Sequence, residues 1–438
     1  MKLKNSLTFF IFVVVSTHST SQSLTKNEWK EDIVTLQQLL KSKHVNLYHE
    51  TPASTFDYAF QHVSSKIDSL EDYQIILEVD RLVSLAKDGH TSFFPVFDQN
   101  IVKFPLYPIV LSEFEEGVFS ISVPSKFSNI VGQKLVSIDD TPIGKVKEKL
   151  KPFIPRDNDA EITYTFPDFI SNAYLLYYIS VTKNKTTANF GFESNGKLTT
   201  VNVEAVPDSI YALEDWYASR GTLRNIAKSI HPTFLFLNKF TFFNAAKRET
   251  YWAKPIPESK TIFFQYLSCF DQKDRPTFLN YVRDSVFAFL DKNPSYKLVI
   301  DMRYNSGGEP MTAAPLIVGI LERSELFKNH PPIVLVGMRT FSAAATSVMQ
   351  LKRFCNAILI GQLSRARPNS PSEGRGFELP NSKMQISIST QYVNRYPKAG
   401  KAYYIPMDKV IPLKFSDYQN DIDKTFSEGI NWNYRHIE

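Results

Sequence analysis

The apolar positions fall into three regimes along the 438 residues of this chain. From Trp29 to Lys43 they recur at helical spacing, with Ile33, Leu36, Leu39 and Leu40 on one face. The same period predicts helices over about Phe56–Leu70 and Tyr73–Leu85, ending at Lys87-Asp88-Gly89-His90-Thr91, where Gly89 interrupts the pattern. From Phe93 to about Val206 the apolar runs shorten. They predict strands at Tyr107–Leu111, Val118–Val123, Lys134–Ile138 and Thr199–Val203, with a strand–turn–strand unit at Ile130–Ile143 around Asp139-Asp140. Pro207–Pro257 is aromatic and mildly basic and shows no period.

From Thr261 onward the two periods alternate. Strands are expected at Thr261–Leu267, Lys297–Asp301, Ile333–Val336 and Ala357–Ile360, and past Gly361 at Met384–Ser389. Helices are expected at Thr277–Leu290, Met311–Leu321 and Ala343–Arg353, the first with Phe278, Val282, Val286 and Phe289 on one face. Such alternation predicts βαβ units and a mostly parallel sheet, an α/β core. The chain divides into an N-terminal segment 1–21, a helical region 22–92, a β-rich region 93–206, a connecting segment 207–260 and the core domain 261–438.

Composition changes this picture little. A hydrophobic share of 43% with 22% charged residues is that of a soluble globular protein long enough for two or three domains. The 34 Phe and 21 Tyr suit a β-rich interior. A formal charge of +5 is small for this length, and no basic block carries interleaved aromatics, so nucleic-acid binding has no support.

The first residues carry an address. Lys2 and Lys4 precede an apolar run, Leu7 to Val15, too short to span a bilayer. A Ser- and Thr-rich stretch follows, and Ser19 and Ser21 offer a small-x-small cleavage site before Gln22. This predicts a secretory signal peptide over 1–21, with an uncleaved anchor as the alternative, and a mature protein that is secreted, periplasmic or on the cell surface. No Cys near that site offers a lipoprotein anchor. Cys269 and Cys355 sit in apolar contexts and read as buried free thiols, a disulfide being the alternative. No CxxC or His-rich cluster suggests a metal, and no cofactor is expected.

Two segments of the core domain could carry chemistry. Ile333–Val336 leads through a short connector to Thr340-Phe341-Ser342-Ala343-Ala344-Ala345, which presents a hydroxyl at the start of a helix, beside unpaired N–H groups. Ser342 is either a nucleophile there or an ordinary N-cap. Lys297–Asp301 runs into Arg303-Tyr304-Asn305-Ser306-Gly307-Gly308, where paired glycines can turn backbone N–H groups toward a carbonyl oxygen; a plain turn is the alternative. Asp301 and Arg303 could pair and fix that loop. His90 offers an imidazole able to take a serine proton, or a structural role after a turn.

Taken together these motifs resemble the tail-specific, or C-terminal-processing, serine peptidase family. Leu298–Gly308 is similar to its Asp-x-Arg-x-Asn-x-Gly-Gly signature, and Ser342 falls at its nucleophile position. Gly361-Gln362-Leu363-Ser364 is similar to its Gly-Glu-x-Thr strand end. Arg367-Pro368-Asn369 through Glu373, followed by Phe377–Ser382, resembles a branch common in secreted bacterial proteins. Asp88-Gly89-His90-Thr91 resembles the histidine motif of that branch and of the tricorn protease core. The resemblance runs from about Trp29 to the C-terminus and is strongest over Thr261–Tyr392.

It implies a ClpP/crotonase-like core and a PDZ-like module, part of which Ile130–Ile143 resembles. It also implies a peptide or protein substrate, with Ser342 as nucleophile. The N–H groups of Gly307 or Gly308 and of Ala343 would form an oxyanion hole, with Asp301, Arg303 and Asn305 in support. The family's base lysine falls at Arg367, and an arginine stays protonated. His90 is therefore the expected base, with Glu373 as candidate orienter. The departures at Arg367 and Ala345 keep a second expectation open, a binding protein on the same fold, as in the retinoid-binding proteins of the eye. Hydrolysis of a non-peptide ester is a third.

Overall fold

The computed structural model describes residues 24–93, 103–206, 234–236 and 249–434. The expected signal segment and most of the connecting segment lie outside them. Among the described residues no helix is long and apolar enough to cross a membrane.

Three helices come first: α1 (Lys26–Lys43), α2 (Ala53–Lys66) and α3 (Asp72–Ser84). α1 begins at a capping box, in which the Glu28 N–H donates to Thr25 Oγ1 and the Glu28 carboxylate accepts the Thr25 N–H at 2.7 Å. Its buried stripe is Trp29, Ile33, Leu36 and Leu40, as the apolar spacing requires.

A seven-stranded antiparallel sheet follows, in the order β1-β2-β3-β5-β6, with β4 beside β3 and β7 beside β2. Its strands are β1 (Val110–Phe114), β2 (Gly117–Pro124), β3 (Lys134–Ile138), β4 (Thr141–Pro142), β5 (Thr187–Ser194), β6 (Lys197–Glu204) and β7 (Phe234–Phe236). Asp139 sits in the β3–β4 turn at φ 45°. Between β4 and β5 the chain forms three helices, α4 (Ile143–Leu150), α5 (Asp159–Phe169) and α6 (Ala173–Tyr178). These helices were not expected in the β-rich region 93–206. The run Ile162-Thr163-Tyr164-Thr165-Phe166 has β propensity, but Asn158 caps the Ala160 N–H at 3.0 Å and starts a helix whose apolar face is buried. Packing overrides the local preference.

The core domain holds a six-stranded sheet in the order β15-β12-β11-β10-β9-β8. In chain order these are β8 (Tyr251–Ile256), β9 (Thr261–Tyr266), β10 (Lys297–Asp301), β11 (Ile333–Val336), β12 (Ile358–Gly361) and β15 (Lys409–Val410), with β13 (Asn369–Glu378) and β14 (Gln385–Asn394) between the last two. All pairings are parallel except β8 with β9. Alternate residues serve two apolar clusters: Ile300 and Val334 pack on one face, Val299, Ile333 and Leu335 on the other. A strand covered on both faces reads as a continuous apolar run, which is why β10 and β11 stand out in the sequence. The helix after β9 is less regular than expected, with a π-helical stretch over Val282–Phe287.

The strand expected at Met384–Ser389 is not in this sheet. It belongs to β14, which pairs with β13 in a long antiparallel hairpin. Met384, Ile386 and Ile388 have the period-2 burial of a half-covered strand, and with Leu379 they pack into the N-terminal core. The Asp32 carboxylate of α1 accepts the Asn381 and Ser382 N–H groups at the hairpin tip, at 2.9 and 2.8 Å. Ser92 and Ser387 exchange backbone hydrogen bonds at 3.0 Å each way. The hairpin therefore ties the loop after α3 to the core sheet.

Candidate active site

The carboxyl ends of β10 and β11 are where loops of a parallel sheet converge on ligands. After β11 the chain turns at Gly337 and Thr340. Thr340 Oγ1 donates to the Met302 carbonyl at 2.8 Å and accepts the Gly337 N–H at 3.1 Å, which locks this turn to the one after β10. Ser342 then opens the Ser342–Cys355 helix at φ 50°, in the left-handed region that a serine rarely adopts. Such local strain sharpens the presentation of a side chain at a functional turn.

The turn after β10 is built around two buried polar groups. Arg303 donates through Nε and Nη2 to Asp301, at 2.9 and 2.8 Å, and through Nη1 to Asp423 at 2.7 Å. Asn305 accepts the Gly307 N–H at 2.9 Å and donates to the Tyr266 carbonyl at 3.1 Å. Gly307 and Gly308 have φ values of 113° and 134°. A Cβ at 307 would stand 2.8 Å from Ser342 Cβ and 3.0 Å from the Ala343 nitrogen, so the two turns touch only because that position is glycine.

One oxyanion candidate changes on this geometry. The Gly307 N–H is already held by Asn305 Oδ1. Among the described residues the N–H groups of Gly308 and of Ala343 are not held by another group, and Ala343 lies in the first turn of its helix. Both lie beside Ser342.

His90 reaches this place from the N-terminal region. Its Nε2 is 3.0 Å from Ser342 Oγ, across 252 residues of sequence. The ring stacks on Phe341 with centroids 4.6 Å apart, and Arg365 covers Phe341 with its guanidinium 4.4 Å from the ring centre. Burial, reinforced by Arg395 and Arg365 and opposed by Asp88, pushes the His90 pKa down to about 4. That corresponds to about 3 kcal/mol against the imidazolium. The imidazole is therefore neutral near pH 7 and can accept a proton at Nε2. Its Nδ1 is buried and has no partner among the described residues.

Glu373 does not fill that gap. It is exposed on β13, at φ 54°, and its carboxylate makes no hydrogen bond with His90. The side chain that β13 turns inward is its neighbour Ser372, whose Oγ lies 3.4 Å from His90 Nε2 and accepts from Arg395 Nη2 at 2.9 Å. Arg367 is also elsewhere. It pairs with Glu50 at 2.7 Å and covers Tyr403, with its guanidinium 4.0 Å from the ring centre. It makes no hydrogen bond with Ser342 or His90.

Several residues at the site carry no sequence signal. Arg395 is a buried guanidinium whose hydrogen bonds go to hydroxyl groups: Thr346 at 2.9 Å, Ser370 at 3.1 Å and Ser372. Asp157 accepts the Gly89 N–H at 2.8 Å and the Arg367 N–H at 3.1 Å; burial and the nearby Asp88 push its pKa up to about 6. Asn158 donates to the Ser364 and Tyr403 carbonyls, at 3.0 and 2.8 Å. All three arrive from segments whose sequence is unremarkable. Asp88 lies within the Asp88–Thr91 motif, of which only His90 was expected to act. Cys269 and Cys355 are buried free thiols. Among the described residues no group of three or more His, Cys, Asp or Glu side chains is arranged to hold a metal.

No protein-family model and no curated protein sequence matches this chain. Solved structures do. The chain is similar to mature CPAF complexed with lactacystin, at a TM-score of 0.62 and 12% identity over 93% of this chain and 97% of that one. It is similar to mature CPAF alone at a TM-score of 0.59 and 12% identity, over 93% and 96%. The photosystem II D1 C-terminal processing protease matches at a TM-score of 0.40 and 9% identity, over 92% and 96%, too low to support an argument. At such identities the likeness defines the fold: this chain has the mixed α/β fold of CPAF, over nearly the whole length of both.

Proposed function

We propose that this chain is a secreted serine-type peptidase of the C-terminal-processing family, which cleaves peptides or protein tails through an acyl-enzyme on Ser342. The observation that carries this is the 3.0 Å approach of His90 Nε2 to Ser342 Oγ, at a strained helix start that faces two free backbone donors. Ser342 Oγ attacks the substrate carbonyl carbon while its proton passes to His90 Nε2. The tetrahedral oxyanion faces the N–H groups of Gly308 and Ala343. The peptide C–N bond then breaks, and His90 gives the proton to the leaving nitrogen. Water repeats the sequence and frees the carboxylic acid. Each oxyanion donor of this kind contributes roughly 10²–10³ in rate.

An extended peptide fits by strand addition along β13, whose only ladder partner among the described residues is β14 and whose Ser372 lies beside His90. In this reading the parallel sheet is the ClpP/crotonase-like core, the antiparallel sheet a PDZ-like module, and 1–21 a signal peptide.

The vacant Nδ1 of His90 favours one other reading, a binding protein that has kept the fold without the turnover. A fluorophosphonate probe separates the two. Intact-mass analysis of the folded protein is expected to show one adduct, absent from Ser342→Ala. Equal labelling of the two would end the nucleophile assignment. Lactacystin, the ligand of the CPAF complex, is expected to compete with the probe.

A further inference from the structure

A histidine base has to be held in one orientation, and its cation has to be tolerated while the proton rests on it. His90 lacks the usual means, because among the described residues nothing meets its Nδ1. Its charged surroundings are Arg395 at the end of β14, Arg365 beyond Phe341, and Asp88 two residues before it. Asp157 and His44 face Asp88 in turn. Of the groups that act on His90, Asp88 is the one that favours the cation.

We propose that Asp88, locked in place by His44, is the orienting acid of this site and acts through the main chain of the His90 turn instead of through Nδ1. This rests on the peptidase reading above. In the terms of that reading Asp88 and His44 are positioning residues, since neither touches the reacting atoms.

Asp88 Oδ1 accepts the N–H groups of His90 and Thr91, at 2.9 and 2.7 Å, and the Ser389 hydroxyl at 2.6 Å. Asp88 Oδ2 accepts His44 Nε2–H at 2.7 Å. The side chains of Asp88 and His44 are both fully buried. Burial alone would raise the Asp88 pKa, but the bonds from His44, Ser389 and Thr91 outweigh it and keep the carboxyl ionised.

His44 has no freedom in this. Its Nδ1 accepts the Asn46 N–H at 3.0 Å, so the ring proton sits on Nε2 and faces Asp88. The Gly89 N–H ends on Asp157. All three N–H groups of Gly89-His90-Thr91 are thus held by carboxylates, and the turn cannot rotate without exposing a buried anion. Ser389 belongs to the hairpin that carries Ser372 and Arg395, so the same carboxylate registers His90 against the other half of the site.

The test uses the rate of Ser342 acylation by a fluorophosphonate probe and the KM and kcat of a cleaved peptide, in the full chain. Asp88→Asn keeps an acceptor for the turn but removes the charge and sets an amide against His44 Nε2–H. It is expected to slow acylation by roughly 10²-fold, the low end of what a general base contributes, and to lower kcat with KM unchanged. The acid limb of the rate must not move upward, because removing an anion lowers the His90 pKa further. His44→Phe is expected to act in the same direction and His44→Gln, which keeps a donor toward Asp88, to restore most of the rate.

Wild-type labelling in Asp88→Asn and His44→Phe would overturn the proposal. So would His44→Gln as slow as His44→Phe, or an acid limb displaced upward. If Asp88→Asn does not fold, the two His44 variants decide. An unlabelled wild type would instead remove the peptidase reading itself.

Discussion

A methyl group at position 307 would occupy the space of Ser342, with its Cβ 2.8 Å from the Ser342 Cβ. Gly307→Ala is therefore expected to displace the nucleophile turn. The left-handed φ of 113° adds backbone strain to the clash. Labelling of Ser342 should fall by about 10²-fold or more, with about 1–3 kcal/mol of lost stability seen in denaturant unfolding.

Two titrating residues at the site oppose one another. His90 is pushed down to about 4 from an ordinary 6.5. As pH falls from 6.5 to 4 the unfolded chain takes a proton that the folded one refuses, so this group removes stability across that window. Asp157 is pushed up to about 6 from 3.8. As pH falls from 6 to 3.8 the folded chain takes the proton first, so this group adds stability over nearly the same window. Relative to wild type, His90→Gln is expected to gain stability on acidification from pH 6.5 to 4, and Asp157→Asn to lose it. Thermal midpoints measured across that range check both signs.

At the scale of elements, the β13–β14 hairpin is the strut between the two halves of the site. Asp32, on α1, holds its tip by accepting the backbone N–H groups of Asn381 and Ser382. Asp32→Ala leaves both donors without this partner, the Ser382 N–H in a buried position, which costs about 1–3 kcal/mol. Amide exchange at Asn381 and Ser382 is expected to rise by the corresponding factor. Exchange unchanged from wild type would mean that the apolar contacts of Met384 and Ile386 hold the tip unaided.

The elements differ in how plainly the sequence displays them. β10 and β11 are buried on both faces, so Lys297–Asp301 and Ile333–Val336 emerge as apolar runs with the expected bounds. α1 and α2 emerge because each buries one stripe, and α3, buried on nearly every side, emerges by its length and apolar density. α5 does not, because its β-branched and aromatic residues argue locally for a strand and only Asn158 and tertiary burial make it a helix. β14 was visible as a strand and misplaced as to sheet, since alternation reveals a half-buried face and says nothing of the partner that covers it.

For the whole molecule the question is how two distant segments meet. Ser342, Asn305, Gly308 and Ala343 lie close together in the sequence of the core domain, and their turns were legible there. His90 was legible as a candidate for a different reason, a motif without neighbours. The 252-residue gap is closed by packing of the N-terminal helices on the hairpin, which no local pattern encodes. Arg395, Ser372, Asp157 and His44 escaped for the same reason: their chemistry arises from where long-range pairing leaves them. Glu373 and Arg367 were expected at the site from the family resemblance. A strand alternates its side chains, so Ser372 faces the site and Glu373 faces solvent.

The account depends on the core domain borrowing its base from the N-terminal region. The most direct measurement is the pH dependence of Ser342 acylation, followed by intact mass, in wild type and in His90→Ala. The wild type is expected to keep a rate plateau through mildly acidic pH, with its acid limb near 4, where His90 titrates. His90→Ala is expected to be slower by roughly 10²–10⁴-fold at neutral pH and to lack that limb. A His90→Ala protein that is acylated at the wild-type rate, with the wild-type limb, would contradict the account.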